Sequence, residues 1–322
     1  MLAKAEYMKG DFLASSATFH YISRYFSWKP DLVLESQIWE ALSYCAMGWT
    51  TEADNVLAHV HIDQIKSKRI RALANLAFAN FYIKSDKNVE AIPYLAEAIK
   101  GSKGAQKVRL NFLLGQLYED AGEKQLAYEA FKRAGSSSGS TYRTKFNARI
   151  KQSAVFQGTN IMPEVKALKR MTRYDRNKEY LDQVYYAIGN LYLSRLDTVN
   201  AVANYKLAAE KSTRNGIDKA ISQLTLGGIY FAQRKYDLAQ PCYSEAIPLL
   251  SEAYPNFCEL KKRSDVLDEL AVYAGNVTLQ DSLLRLSKMP LEEQKKVIKK
   301  IIDDLKKKEK EEAENAAREE YM

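Results

Sequence analysis

The chain has 322 residues, of which 46% are hydrophobic, so it can form one elongated helical array or two ordinary domains. Gly (14) and Pro (7) are scarce, and no stretch alternates apolar and polar residues between turn signals, which excludes a predominantly β protein. The net charge of +8 is moderate and leaves both protein and anionic partners open.

Four predicted helix-pair units occupy the first part of the chain. The first unit is truncated, since its first helix ends near Lys9 and the pair Gly10-Asp11 breaks it. Pro30 is expected to close this unit, because a proline has no N–H and a fixed φ. The next three units cover residues 34–63, 70–100 and 107–135.

A Ser- and Gly-rich segment at 136–141 is predicted to be a flexible linker. It either separates two groups of repeats or forms one long loop between neighbouring repeats. Beyond it, residues 142–172 read as a degenerate unit, and residues 180–211 and 217–250 read as two clear ones. The repeats are therefore assigned to 1–135 and 142–254.

The clearest small/large pattern lies at 185–208 and predicts two helices joined by a short polar break at 195–198. Small residues let two helix backbones approach, and aromatic residues fill the space beside them. The positions that carry this pattern are Tyr185, Ile188, Gly189, Tyr192, Ala201, Tyr205 and Ala208. Such positions are structural and say nothing about function.

The repeat pattern stops after Pro255. Residues 255–288 are predicted to be a capping helix that covers the end of the array, with a break near Gly275. Residues 289–322 are predicted to be a charged helical tail. Apolar side chains on one side of these segments are Leu260, Val266, Leu267, Leu270 and Tyr273, and then Val297, Ile298, Ile301, Ile302 and Leu305.

The repeated order of Leu-Gly, Tyr, Ala, an aromatic residue and Ala resembles the tetratricopeptide repeat. Leu114-Gly115 and Leu226-Gly227 are the best matches, and the aromatic residue that opens the family pattern survives only as Tyr185. The resemblance implies an all-α, right-handed superhelical solenoid of helix pairs. In such a fold the first helices line a concave groove that receives a peptide or a partner helix.

Partner-binding candidates are the first-helix residues that packing does not use, and ordinary surface polarity is the alternative at each of them. The candidates are Asn80, Lys84, Arg109, Gln116, Glu119, Arg149, Gln183, Tyr186, Asn190 and Phe231. The Lys and Arg pattern with which related repeats clamp chaperone C-termini is missing. A folded or helical protein partner therefore suits this Tyr-rich groove better.

No catalytic, cofactor-binding or metal-binding residue is predicted. The chain has no phosphate-binding glycine loop, no dinucleotide fingerprint, no HExxH and no GxSxG motif. The three histidines, His20, His59 and His61, lack the further ligands that a metal site needs. The sequence thus predicts a non-enzymatic protein–protein interaction scaffold.

A basic stretch at 143–178 supports one alternative, a binder of nucleic acid or anionic lipid. It holds ten Lys or Arg residues against two acids, Glu164 and Asp175. Because the stretch carries no nucleic-acid motif, a solvated helix surface is the favoured interpretation.

Cysteines and termini leave the cellular compartment open. Cys45, Cys242 and Cys258 have no CxxC spacing and read as small buried hydrophobes or at most one loose pair, so their redox state is open. There is no signal peptide and no segment that could span a bilayer. The chain is therefore expected to be either cytoplasmic or a trimmed part of an exported protein.

The segment at 279–312 resembles the tail of the Bacteroidota gliding-motility and type IX secretion lipoproteins of the PorW/SprE kind. In both, a Gln-Asp-Ser-Leu motif, here residues 280–283, precedes an acidic and basic helix with paired Ile residues. The resemblance implies a periplasmic, outer-membrane-associated scaffold with secretion-system components as partners. The lipid-bearing cysteine and signal peptide of that family are absent from this chain.

Overall fold

The computed structural model describes residues 1–320, and all regular structure in that range is helical, as the sequence predicts. The α-helices are α1 (Leu2–Lys9), α2 (Phe12–Tyr25), α3 (Pro30–Met47), α4 (Thr50–Leu57), α5 (Lys68–Lys84), α6 (Asn88–Lys100), α7 (Gly104–Asp120), α8 (Lys124–Ser136), α9 (Tyr142–Ala154), α10 (Met162–Met171), α11 (Leu181–Leu193), α12 (Thr198–Glu210), α13 (Ile217–Ala232), α14 (Tyr236–Ala246), α15 (Phe257–Ser287) and α16 (Leu291–Glu320). Short 3₁₀ helices lie at Ile62–Gln64, Asp175–Tyr180 and Ile247–Leu249.

Helices that are adjacent in the chain pack on each other, in two compact units. The first unit covers residues 1–204 and the second begins at Tyr205, so the division falls inside α12. In the first unit α2 packs on α3, α5 on α6, α7 on α8, and α8 on α9. In the second unit α13 packs on α14, and α14 packs on α15.

Two expected helix breaks differ in the structure. Pro30 does not close a helix but begins α3, where a missing N–H costs nothing because the first turn of a helix has no internal acceptor for it. The preceding helix already ends at Tyr25. Gly275 does not interrupt α15, which is continuous from Phe257 to Ser287, because a single glycine in a long helix costs only about 1 kcal/mol.

In the segment at 136–141, Ser136 is the last residue of α8 and the other five residues form a short turn to α9. Two of its serine hydroxyls are bonded to the end of α8, since Ser137 donates to the carbonyl of Arg133 and Ser140 donates to the carbonyl of Ala134. A Cβ placed on Gly139 would lie 2.6 Å from the backbone carbonyl carbon of Gly104, so the turn runs close to the start of α7. Only a glycine fits there without a shift of the backbone.

The same turn joins the two helices of six pairs. One residue of each turn has a left-handed backbone; its N–H donates to the carbonyl three residues earlier, and the next N–H donates to the carbonyl five residues back, at 2.8 to 3.2 Å. These left-handed residues are Gly10, Gly48, Asp86, Gly122, Leu196 and Arg234. They are 38, 38, 36, 74 and 38 residues apart, which sets the length of the repeat.

The small/large pattern has a fixed register relative to this turn. The residue five positions after the left-handed one is fully buried in all six pairs and is Ser15, Ala53, Ala91, Ala127, Ala201 or Ala239. The residue seven positions before it is also small and buried, namely Ala3, Ala41, Ala79, Gly115, Gly189 or Gly227. The residue nine positions after the turn has a large buried side chain in all six pairs and is Phe19, Leu57, Leu95, Phe131, Tyr205 or Tyr243.

In each of two pairs, a glycine on the first helix therefore packs directly against an aromatic ring on the second helix. A Cβ on Gly115 would lie 2.7 Å from the ring of Phe131, and one on Gly227 would lie 2.9 Å from the ring of Tyr243. Neither ring can move away, because Phe131 and Tyr243 are buried by 98% or more.

The C-terminal helices are much more exposed than the pairs. In α15, Leu267 is buried against α14, but Val266 and Tyr273 are 63% and 71% exposed. The predicted apolar side of this helix is thus only partly covered. In α16 the stripe from Val297 to Leu305 is exposed, and Asp304, Met322 and most residues between 308 and 321 have side chains outside the described set.

No helix within residues 1–320 is both long enough and apolar enough to cross a membrane.

Gly115→Val should destabilise the fold by about 1–3 kcal/mol, because its branched side chain would enter the ring of Phe131. Urea denaturation measures this change. Gln116→Val is the matched control, since it introduces the same β-branched side chain at a half-buried neighbouring position and should cost about 0.5 kcal/mol. Equal effects of the two substitutions would contradict the proposed register.

Leu196→Gly should stabilise the fold by about 0.5–1 kcal/mol. Leu196 has a left-handed backbone with φ of 58° and a side chain that is 86% exposed, so glycine relieves strain without removing packing. Gly122→Ala, at the equivalent turn with φ of 79°, should have the opposite sign. Thermal and urea unfolding compare the two, and a loss of stability in Leu196→Gly would show that its side chain is needed.

Candidate functional site: a basic cleft between α9 and α10

One helix pair, α9 and α10, departs from the common turn. The interval from Gly122 to Leu196 is 74 residues, twice the usual repeat, so its midpoint puts the equivalent turn near Thr159. No residue between α9 and α10 has a left-handed backbone, and residues 155–161 form a longer connection instead. This pair is the degenerate unit of the sequence.

The register of this pair places polar side chains where the other pairs have small ones. Seven positions before the midpoint is Gln152 and five positions after it is Glu164, and their exposed fractions are 5% and 6%. Nine positions after the midpoint is Leu168, which keeps the usual large buried side chain. Long polar side chains have replaced the small residues that allow two helices to approach.

A hydrogen-bonded network surrounds these two residues. Arg149 Nη1 donates to Gln152 Oε1 at 2.8 Å, and Tyr128 donates to Glu164 Oε1 at 3.0 Å. Arg149 Nη2 lies 2.6 Å from Glu164 Oε2, off the direction of a hydrogen bond, so this contact is an ion pair. Burial, together with the hydrogen bond to Glu164, raises the pKa of Tyr128, which keeps the phenol protonated as a donor.

A cleft opens where α9 and α10 fail to close. α9 packs on α8 and α11 but only sparsely on α10, and a cavity of about 320 Å³ lies between the two helices. Each helix contributes residues at helical spacing, so one face of each forms a wall. The lining residues are Tyr142, Lys145, Phe146 and Arg149 from α9, with Ala167, Arg170, Met171 and the following Tyr174.

The cleft has an apolar base and aromatic walls that are held in place. Phe146 is 3% exposed and belongs to the buried core, next to the half-buried Met171. Tyr142 donates to the side chain of Asn177, a buried residue whose own amide donates to the carbonyl of Met171 at 2.7 Å. The guanidinium of Arg176 lies 3.6 Å from the centre of the Tyr142 ring. The walls are therefore fixed by contacts outside the cleft.

A second cavity of about 310 Å³ extends the cleft toward α8. It shares Lys145 and Arg149 with the first and adds Lys132. No acidic residue lines either cavity, because the carboxylate of Glu164 is turned into the network behind Arg149. The combined cleft is thus a concentration of positive charge over an apolar base.

The predicted partner-binding residues all lie on the first helices of pairs, α5, α7, α9, α11 and α13. Each has a half-buried or exposed side chain. Among them, Arg149 lines the cleft, and Glu119 of α7 accepts from Lys151 of α9 at 2.9 Å. Phe231 packs edge-on against Tyr236, with the guanidinium of Arg263 at 5.2 Å.

The other cleft residues were not singled out from the sequence. Lys145 and Arg170 were part of the basic stretch, but nothing distinguished them from their neighbours. The repeat register is the sequence signal that could have revealed the cleft. When the usual repeat length is continued through the degenerate unit, Gln152 and Glu164 fall at the two positions that hold small residues in the other pairs.

The cysteines and histidines form no competing site. Burial raises the pKa of the Cys45 and Cys242 thiols to about 11, so they are poor nucleophiles, and Cys258 is exposed rather than buried as expected. All three are free thiols. Within the part of the chain that the structure describes, no group of three or more His, Cys, Asp or Glu residues could hold a metal ion.

Comparison of the chain with protein-family models and with curated proteins found no match to either.

Glu164→Ala should destabilise the first unit by about 1–3 kcal/mol, because Tyr128 and Arg149 would lose a buried partner. Chemical denaturation followed by circular dichroism measures the loss. Glu129→Ala is the control: its side chain is 41% exposed and lies 4.0 Å from Lys132, so removing it should cost about 0.5 kcal/mol or less. A Glu164→Ala variant as stable as the parent would mean that the network contributes nothing to the fold.

Proposed function

We propose that this chain is a non-enzymatic protein–protein interaction scaffold built as a right-handed superhelical solenoid of tetratricopeptide-like helix pairs. The observation that supports this is the common turn with its fixed small/large register, which recurs at 36 to 38 residues except for one double interval of 74 residues. Units that repeat in this way bury their apolar faces against neighbours and present the same positions of each first helix on one surface.

That surface is where the proposal places the partner. Its ten candidate residues lie on first helices, and none is fully buried. Tyr186 and Phe231 offer aromatic contact area at low cost in side-chain entropy, and Asn190 offers an amide beside Tyr186. A protein or peptide would bind by contact with a surface that is already formed, without cofactor or chemistry.

The proposed cellular role is an accessory component of a bacterial envelope secretion or gliding machinery, in the periplasm and associated with the outer membrane. It is supported by the resemblance of residues 279–312 to the tails of lipoproteins from that machinery. In the structure this segment covers the end of α15 and much of α16, where Leu279 and Leu283 are exposed. A cytoplasmic scaffold is the alternative.

A second candidate function is binding to nucleic acid or anionic lipid. It is favoured by one observation, the cleft between α9 and α10 that positive side chains line without an acidic one. Binding through phosphate groups releases counterions, so its affinity would fall steeply as salt increases.

Tyr186→Ala combined with Asn190→Ala should weaken capture of the partner from the envelope fraction of the native organism by about tenfold or more. The measurement is quantitative affinity capture with the purified chain, repeated at low and high salt. Val199→Ala is the control, since this side chain of α12 is 79% exposed and lies on a second helix. Steep salt dependence with no effect of the double substitution would favour the anionic alternative.

A further inference from the structure

The cleft between α9 and α10 carries cations that the protein itself does not neutralise. Lys145 on α9 and Arg170 on α10 are exposed, and neither forms an ion pair with any residue in the described range. Arg149 between them is held by Glu164 and Gln152, and its side chain remains 25% exposed. Each wall therefore has one cation available to a ligand.

The base of the cleft is apolar and has the size of a binding pocket. Phe146, Ala167 and Met171 form it, and a volume of about 320 Å³ is at the lower end of the range for sites that take small ligands or single side chains. The positive rim and the apolar base together select a ligand that carries negative charge next to an apolar group.

We propose that this cleft binds an acidic peptide segment and that one apolar side chain of the segment inserts between α9 and α10. Carboxylates beside that side chain pair with Lys145 and Arg170, while the inserted group contacts Phe146 and Met171. The second cavity, with Lys132 and the shared Lys145, receives the continuing acidic chain.

Two observations favour a peptide over nucleic acid. Nucleic-acid bases stack on exposed aromatic faces, and Arg176 already occupies one face of Tyr142, at 3.6 Å from the ring centre, and lies 5.1 Å from the ring centre of Tyr174. Moreover, the apolar base of Phe146, Ala167 and Met171 fits an apolar side chain of a peptide, whereas it offers no partner to a sugar-phosphate backbone.

The inference rests on the proposed scaffold function, because it names the chemistry of one partner. It concerns a different surface from Tyr186 and Asn190, so the two can fail separately. Loss of cleft binding with retained capture through Tyr186 and Asn190 would refute the inference alone.

The test is fluorescence anisotropy on the full chain with three labelled probes of equal charge. They are an Asp/Glu-rich peptide with one central Leu, the same peptide with Ala in place of Leu, and a single-stranded oligothymidylate. The Leu peptide should bind, and the Ala peptide should bind more weakly because it lacks the inserted group.

Lys145→Ala combined with Arg170→Ala should weaken binding of the Leu peptide by about tenfold. The matched control is Lys166→Ala combined with Lys169→Ala, which removes the same charge from exposed positions of α10 outside both cavities. Ala167→Phe should block insertion while leaving every charge in place. Circular dichroism melting confirms that each variant is folded.

Three results would overturn the proposal. The first is that no acidic peptide binds, and the second is that the two charge variants weaken binding equally, which indicates non-specific attraction. The third is that the oligothymidylate binds more tightly than the Leu peptide and is weakened by the cleft substitutions, which would assign the cleft to nucleic acid.

Discussion

The close approach of two helices within each pair is the constraint on which the rest of this structure depends. It requires a small residue seven positions before the turn and another five positions after it, because a longer side chain at either place would separate the backbones. Gly115 and Ala127 meet this requirement in the fourth pair, and Phe131 fills the space beside them. The left-handed turn residue then fixes the angle at which the second helix returns.

The fifth pair shows what happens when this constraint is broken. Gln152 and Glu164 are too long for a close helix contact, and once buried they need partners. Arg149 and Tyr128 supply those partners, so α9 and α10 are linked by the ion pair of Arg149 with Glu164 in place of a close backbone contact. The same two substitutions therefore remove a packing contact and create a cleft.

This arrangement explains why the cleft is positive although a buried acid lies next to it. The Glu164 carboxylate is taken up by Arg149 and Tyr128, whereas Lys145 and Arg170 form no ion pair with any side chain that the structure describes. The fifth pair has lost the small residues of the packing pattern and has gained buried polar contacts. Such a departure from the pattern of the other pairs is expected at a functional position. The common pairs, by contrast, keep small buried residues at both close positions.

The sequence by itself determined the helix pairs, their turns and the small/large register, because these depend on residues close together in the chain and recur at a fixed interval. It also placed Arg149 among the candidate binding residues. Only the tertiary structure shows the roles of Lys145, Arg170, Gln152 and Glu164. These roles depend on a cleft, and the cleft exists because two helices do not make a close contact. Whether Gln152 and Glu164 both reach Arg149 depends on the path of the backbone over residues 155–161, and no local pattern encodes that path.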